Sequence, residues 1–460
     1  SINHNNSIYF SGFEDTVGVE LWKTDGTESN TSLVSDIKPG TTSSNPKNLT
    51  IHKDKLYFTS SESYNAEENL FKLENSVVSN VLTLGSSNTI NGIAYTRIRN
   101  IISSDNNLFF VLHTNGTVPN ISILNESENE LTKLKEFGFN TNDQFITINN
   151  NLFFSAQSVS DYNNEVELYK SDGTTEGTVG VINIETGFSS SPSHLINNND
   201  VLFFSAETST KGRELWRSDG TENGTYQVKD IYSGSSSSIS SPYFSNLFGE
   251  KFETLSGEVY FSANNGVNGA ELWKSDGTDA GTILVKDINK GGEASNPKHL
   301  TRIGDKIYFQ AYDKTHGSEL WKTDGTEAGT VLVSDVIPGE IGSSPFNIVN
   351  IDTDVFFMAF TLTSGRQIWK LENEASLSVE EISEIDYNTF VYPNPSHNFI
   401  KIKTDDPIEN IKIYNLNGQL IKSSRKKVNK KINISQLKKG IYLIKYEIKG
   451  VKSIKKFIKR

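Results

Sequence analysis

The chain has 460 residues with no Cys, one Met, 35% hydrophobic and 10% aromatic residues, a composition that excludes disulfides and suits Phe-, Tyr-, Val- and Ile-rich strands. Its formal charge of −12 hides a division, because residues 387–460 hold 18 Lys plus Arg against 4 Asp plus Glu, leaving 26 against 52 in residues 1–386. An acidic body argues against a nucleic-acid partner, and no run of eighteen apolar residues is present to cross a membrane as a helix.

Taken in chain order, the start Ser1-Ile2-Asn3-His4 has no basic and apolar leader, so any signal peptide is expected to have been removed or left outside this sequence. An apolar triplet then recurs eight times: Ile8-Tyr9-Phe10, Leu56-Tyr57-Phe58, Leu108-Phe109-Phe110, Leu152-Phe153-Phe154, Leu202-Phe203-Phe204, Val259-Tyr260-Phe261, Ile307-Tyr308-Phe309 and Val355-Phe356-Phe357. A second signal follows each. It reads Glu20-Leu21-Trp22-Lys23-Thr24-Asp25-Gly26-Thr27 in the first unit and returns around Tyr169, Trp216, Trp273 and Trp321, with weaker forms at Leu70-Phe71, near Ile123 and at Ile368-Trp369. Trp22 and Trp369 stand 347 residues and seven intervals apart, a period of about 50 that belongs to propeller blades.

Each unit reads as four strands. In the seventh they are 298–302, 306–311, 318–322 and 330–335, joined by turns at Gly304-Asp305, His316-Gly317 and Asp324-Gly325. Bulky residues at consecutive positions, as in Ile307-Tyr308-Phe309, put apolar groups on both sheet faces, which requires cover on both sides. Sheets stacked around an axis supply it. The expected fold is all-β: an eight-bladed β-propeller over residues 1–385, with repeats of about 48 residues, followed by a small separate β-domain over 386–460.

Ser-rich stretches before Pro46, Pro192, Pro242, Pro297 and Pro345 read as crossings between blades, and residues 371–390 as the close of the last blade and the lead into the tail. The repeat breaks at 85–100, at 115–130 and at 232–258; the last carries Tyr243, Phe244, Phe248 and Phe252, for which an inner strand of the sixth blade is favoured over a sugar-stacking surface.

Five Asp-Gly-Thr copies invite a calcium reading, yet they lack the alternating carboxylates of a calcium loop, and hairpin geometry is favoured. Glu20, Glu167, Glu214, Glu271 and Glu319 are expected to be structural, each paired with a Lys or a backbone donor. His194 and His299 stand where other units have Asn48 and Asn347, facing the channel or a crossing; a metal pair there is disfavoured. No nucleophile elbow, Walker loop or zinc helix occurs, so no enzyme activity, catalytic residue, metal or cofactor is expected. Asp15-Thr16-Val17 fits a short O-glycosylation signal at Thr16.

The string Glu-Leu-Trp-x-x-Asp-Gly-Thr, continued by Glu327-Ala328-Gly329-Thr330, resembles the ELWxxDGT repeat family of secreted bacterial proteins. That resemblance implies a repeat β-structure and no reaction. The tail resembles the type A C-terminal sorting domain of type IX secretion through Tyr392-Pro393-Asn394-Pro395, the run Ile411 to Leu420 with Asn417-Gly418, Leu437-Lys438-Lys439-Gly440-Ile441-Tyr442, and Lys455-Lys456-Phe457. It implies an immunoglobulin-like sandwich recognised by the outer-membrane translocon and its outer-membrane shuttle protein, then removed or exchanged for a lipopolysaccharide anchor. From the residues alone, Asn417-Gly418 is a hairpin turn and alternation along Ile400, Ile402, Ile411 and Ile413 marks one buried face.

These readings converge on an exported propeller that binds or adheres, with a glycan or a host or surface protein as possible ligands. A glycan-degrading enzyme or its accessory lobe, and a structural surface-layer component, are the alternatives.

Overall fold

The computed structural model describes the whole chain except residues 26, 62–67, 85–88, 91–92, 95–96, 114–118, 126, 129, 139–143, 158–164, 242–250, 352–353, 363–364, 372–390, 393–395, 404–407, 416–419, 425–430, 449–450 and 460. Two compact units emerge, Ser1–Lys370 and Leu371–Arg460.

In the first unit the described strands form seven four-stranded antiparallel sheets and one three-stranded sheet, each a simple meander in chain order, besides a two-stranded pair of Thr89–Ile90 and Ile93–Ala94. The seventh sheet, with strands Lys298–Ile303, Lys306–Asp313, Gly317–Thr323 and Val331–Ser334, follows the spacing read from sequence. The apolar triplet lies on the second strand and the Leu-Trp pair on the third, with Phe309 opposite Trp321 and Gln310 opposite Leu320. Both faces are used. Ile307, Phe309, Ala311 and Trp321 pack on Leu255, Tyr260, Leu272, Val285 and Ile288 of the preceding sheet, and Val259, Phe261, Ala263 and Trp273 pack in the same way on Phe203, Leu215, Val228 and Ile231. A fully buried aliphatic or aromatic side chain stabilises by about 1.5–3 kcal/mol. This face-to-face succession is a β-propeller.

The terminal sheets depart from the rule. Leu168, Leu215, Leu272 and Leu320 are 0% exposed, whereas their counterpart Ile368 in the eighth sheet is 75% exposed, and Ile8 of the first sheet is 44% exposed where Leu152 and Ile307 are 0%.

In the first, second, fourth, fifth and sixth sheets the first-to-second strand connection is a two-residue turn with both residues at positive φ, as at Asn5-Asn6, Lys53-Asp54, Asn149-Asn150 and Asn199-Asp200, a geometry that matches strand twist and favours Asn, Asp and Gly; in the seventh only Gly304 of the turn is at positive φ. The third sheet differs: Arg97–Ser103 and Leu108–His113 are joined by four residues, 104–107. The Asp-Gly-Thr segments join third and fourth strands that pair antiparallel, as hairpins. The connection is longer than that between first and second strands, running from Asp324 to Thr330 in the seventh sheet, and its geometry is set by side-chain bonds described below.

The second unit has a three-stranded sheet of Val391–Tyr392, Phe399–Ile402 and Lys431–Asn433, and a four-stranded sheet in the order Leu420–Ser424, Glu409–Asn415, Gly440–Ile448, Val451–Lys459. Ile400, Ile402 and Ile432 of one share a core with Ile411, Ile413, Tyr442, Ile444 and Phe457 of the other. The alternation read from Ile400, Ile402, Ile411 and Ile413 is therefore the buried face.

Candidate functional site

The repeated glutamates are clamps. Glu214 is 0% exposed, and its carboxylate accepts from the backbone N–H of Ile231 at 3.0 Å, of Tyr232 at 3.4 Å and of Ser238 at 3.2 Å, and from Ser238 Oγ at 2.6 Å. Glu20 holds Ile37 and Ser44, Glu167 holds Ile184 and Ser190, Glu271 holds Ile288 and Ser295, and Glu319 holds Ile337 and Ser343 in the same manner. The Ser-rich crossings are thus fastened to the third strand, and the partners are Ser and backbone donors. Burial pushes the carboxyls of Glu167 and Glu214 up to about 7 and raises those of Glu271 and Glu319, while these donors work in the opposite direction.

In the Asp-Gly-Thr turns, Asp219 Oδ1 accepts from Thr221 N at 2.9 Å and Thr221 Oγ1 at 2.7 Å; Gly224 N donates to Thr221 Oγ1 at 3.0 Å. Asp172, Asp276 and Asp324 repeat the pattern. The Thr hydroxyls, then the Thr amides, hold these carboxyls below the ordinary range. A Cβ on Gly224 would lie 2.0 Å from the Asp219 carboxylate, which is why glycine stands in that place. The turn closes on its own donors.

Asn48, His194, His299 and Asn347 share one backbone state, with φ of 52°, 57°, 57° and 50°, at a register shift in the innermost strand. Three of the side chains join neighbouring sheets: His194 stacks on Phe252 at 5.1 Å, His299 faces Phe346 at 6.4 Å, and Asn48 Nδ2 donates to Ile98 O at 3.0 Å. The two histidines contact different partners and are not brought together. Burial, with the Arg213 charge, pushes His194 down to about 3. Phe252 is 8% exposed, in the core just before the sixth sheet's first strand; Tyr243, Phe244 and Phe248 lie outside the described residues.

Among the described parts of the other repeat breaks, Glu128 pins the third sheet to the second. Burial works against its charge, yet donors from Lys55, Lys72 and Tyr57 pull it down to about 2.

A cleft in the body lies at the first-to-second strand turns of the second, third and fourth sheets. It has a volume of about 360 Å³ and is lined by Lys53, Ser103, Ser104, Asp105, Thr147, Asn149 and Asn150. The four-residue turn forms one wall and is braced: Ser104 N donates to Asn107 O at 2.9 Å, Asn107 N to Ser104 Oγ at 3.0 Å, and Asn107 Nδ2 to Asp172 O at 2.9 Å. Buried His52 approaches Ser103 Oγ at 2.9 Å beneath it. None of these residues was singled out from sequence. The signal was the run Ser103-Ser104-Asp105-Asn106-Asn107, two residues longer than a turn of the repeat.

In the tail, Leu437 and Tyr442 are core residues, and Tyr442 OH donates to Lys438 O at 3.0 Å. Gly440 opens a strand, and Lys455 and Lys456 lie on the strand at the sheet's edge. Pro393, Asn394, Pro395, Asn417 and Gly418 lie outside the described residues, although the strands flanking Asn417-Gly418 pair as a hairpin. Thr16 is exposed in the loop between the first sheet's second and third strands.

Residues 390–460 match the secretion system C-terminal sorting domain. The protein is accordingly secreted or attached to the cell surface by type IX secretion. No curated protein matches the chain. Among solved structures, similar ones include a prolyl endopeptidase, 10% identical over 88% of this chain and 54% of that one with a TM-score of 0.42. Puromycin hydrolase is 12% identical over 78% and 57%, at 0.41, and the β-propeller domain of the Trilobed protease from Pyrococcus furiosus is 12% identical over 73% and 97%, at 0.35. The chain spans about half the length of the first two.

Proposed function

We propose that this secreted or surface-attached protein is a binding or adhesion module without catalytic activity, delivered through its sorting domain by the translocon and its shuttle protein. In this reading the body is an ELWxxDGT repeat protein whose eight sheets close as blades of one ring, and the tail is an immunoglobulin-like sandwich. Closure is supported by the way successive sheets such as the fifth to seventh pack through one pair of faces; the same pairing would cover Ile368 and Ile8, which are exposed in this structure. The observation that carries the binding role is the cleft, which sits against the four-residue first-to-second strand turn of the third sheet, two residues longer than its counterparts in the other fully described sheets. Unrepeated geometry in a repeat scaffold is where a specific ligand is selected.

The test is an array of glycans and of host and surface proteins probed with the full chain. Saturable capture of a ligand that is returned unchanged supports the module; turnover of an arrayed glycan would favour the degradative alternative, and capture of nothing but further copies of the chain the surface-layer one.

A further inference from the structure

The cleft's chemistry narrows the ligand class, resting on the reading of the body as a binding module. Its lining has one ammonium, Lys53, and one carboxylate, Asp105; the rest are hydroxyls and side-chain amides. The two charges cancel. Lys53 Nζ donates to Asn106 O at 3.0 Å and Thr147 Oγ1 to Ser103 O at 3.1 Å, so part of the lining already braces the wall. Asp105 and Asn149 are exposed, and Asn150 Oδ1 is buried with no protein partner. The backbone around them is fixed by the positive-φ pairs Lys53-Asp54 and Asn149-Asn150 and by the braced turn, so little ordering is left for a ligand to impose.

An apolar ligand would strip water from these polar groups without replacing its hydrogen bonds. A phosphate would meet the Asp105 carboxylate, and a cation the Lys53 ammonium. A neutral polyhydroxylated ring meets neither objection: paired hydroxyls donate to a carboxylate, while an amide both donates and accepts. The volume of about 360 Å³ falls within the range of small-molecule sites. The geometry points to a site for a neutral sugar unit at the junction of the second, third and fourth sheets, with Asp105 and Asn149 as its principal ligand-contacting residues.

The test uses the full chain and a panel of neutral mono- and disaccharides, read by saturation-transfer NMR and titration, with inorganic phosphate and calcium as comparison probes. At least one neutral sugar should bind saturably. Asp105→Ala and Asn149→Gly, the latter keeping a residue at ease at φ of 48°, should each weaken it by about tenfold or more with Tm unchanged. No binding by any neutral sugar, preference for phosphate or calcium, or equal sugar affinity in Asp105→Ala would overturn the assignment. If the chain captures some other ligand with an affinity these substitutions do not alter, the binding-module reading stands and the sugar site falls. If it captures nothing on any array, both fall.

Discussion

Removing the Glu214 clamp is the sharpest probe of how the body is held. Glu214→Ala leaves four donors, the N–H groups of Ile231, Tyr232 and Ser238 and the Ser238 hydroxyl, facing a cavity that was 0% exposed. At a net value of about 1 kcal/mol per bond the loss is about 4 kcal/mol. Ser238→Ala removes one donor and should cost about 1–2 kcal/mol, and the double variant should fall short of the sum by about 1–2 kcal/mol because the two side chains meet. The pH dependence has a definite sign. Burial pushes the carboxyl up to about 7 in the fold against an ordinary 4.5, so its stabilisation is complete below pH 4.5 and is lost as pH rises toward 7, by about 3 kcal/mol at most. Glu214→Gln should remove that slope. Urea unfolding followed by tryptophan fluorescence measures all of these, and a loss below ~1 kcal/mol for Glu214→Ala would refute the clamp.

Trp273→Ala, a truncation of a 7% exposed side chain, should cost about 3–5 kcal/mol in the same assay; a loss under ~1 kcal/mol would mean that the ring is not core. If the eighth sheet closes on the first, Ile368→Asp should destabilise by about 3 kcal/mol or more, whereas an open face would tolerate it within ~0.5 kcal/mol. Chelator should leave the Tm of the body unchanged, since the Asp-Gly-Thr turns close on Thr donors; a calcium-dependent rise of several degrees would contradict this. His194 is held neutral in the fold, so its share of stability is present above pH 6.5 and lost as pH falls toward about 3. His194→Asn, the residue of the second and eighth sheets, should flatten that acid limb, and an unchanged limb would show that another group sets it.

The repeat was legible because packing on both faces forces an apolar triplet and a Leu-Trp pair into every unit, and strand limits such as Lys306 and Lys298 followed from it. The clamp was only half legible. Glu214 and Ser238 are 24 residues apart, and the other two donors are backbone amides, which leave no trace in residue type. The shared φ of Asn48 and His194 was hidden by their different side chains, although their equivalent place in successive units could be read. Asp-Gly-Thr marked the hairpin between third and fourth strands, but the bonds of Thr221 and Gly224 that shape its turn were not read. The cleft escaped because two extra residues at Ser104 to Asn107 change a turn without disturbing the period of the strands around it.

Export belongs to the basic tail, which has its own core of Ile400, Ile413, Ile444 and Phe457, and not to the acidic body. The most direct measurement compares the full chain with residues 1–389 in a host that has type IX secretion, scoring the extracellular and periplasmic fractions of each. The full chain should reach the surface or medium, and the shortened chain should remain in the periplasm with the tryptophan fluorescence of a folded body. Equal delivery of the two outside the cell would contradict the central claim.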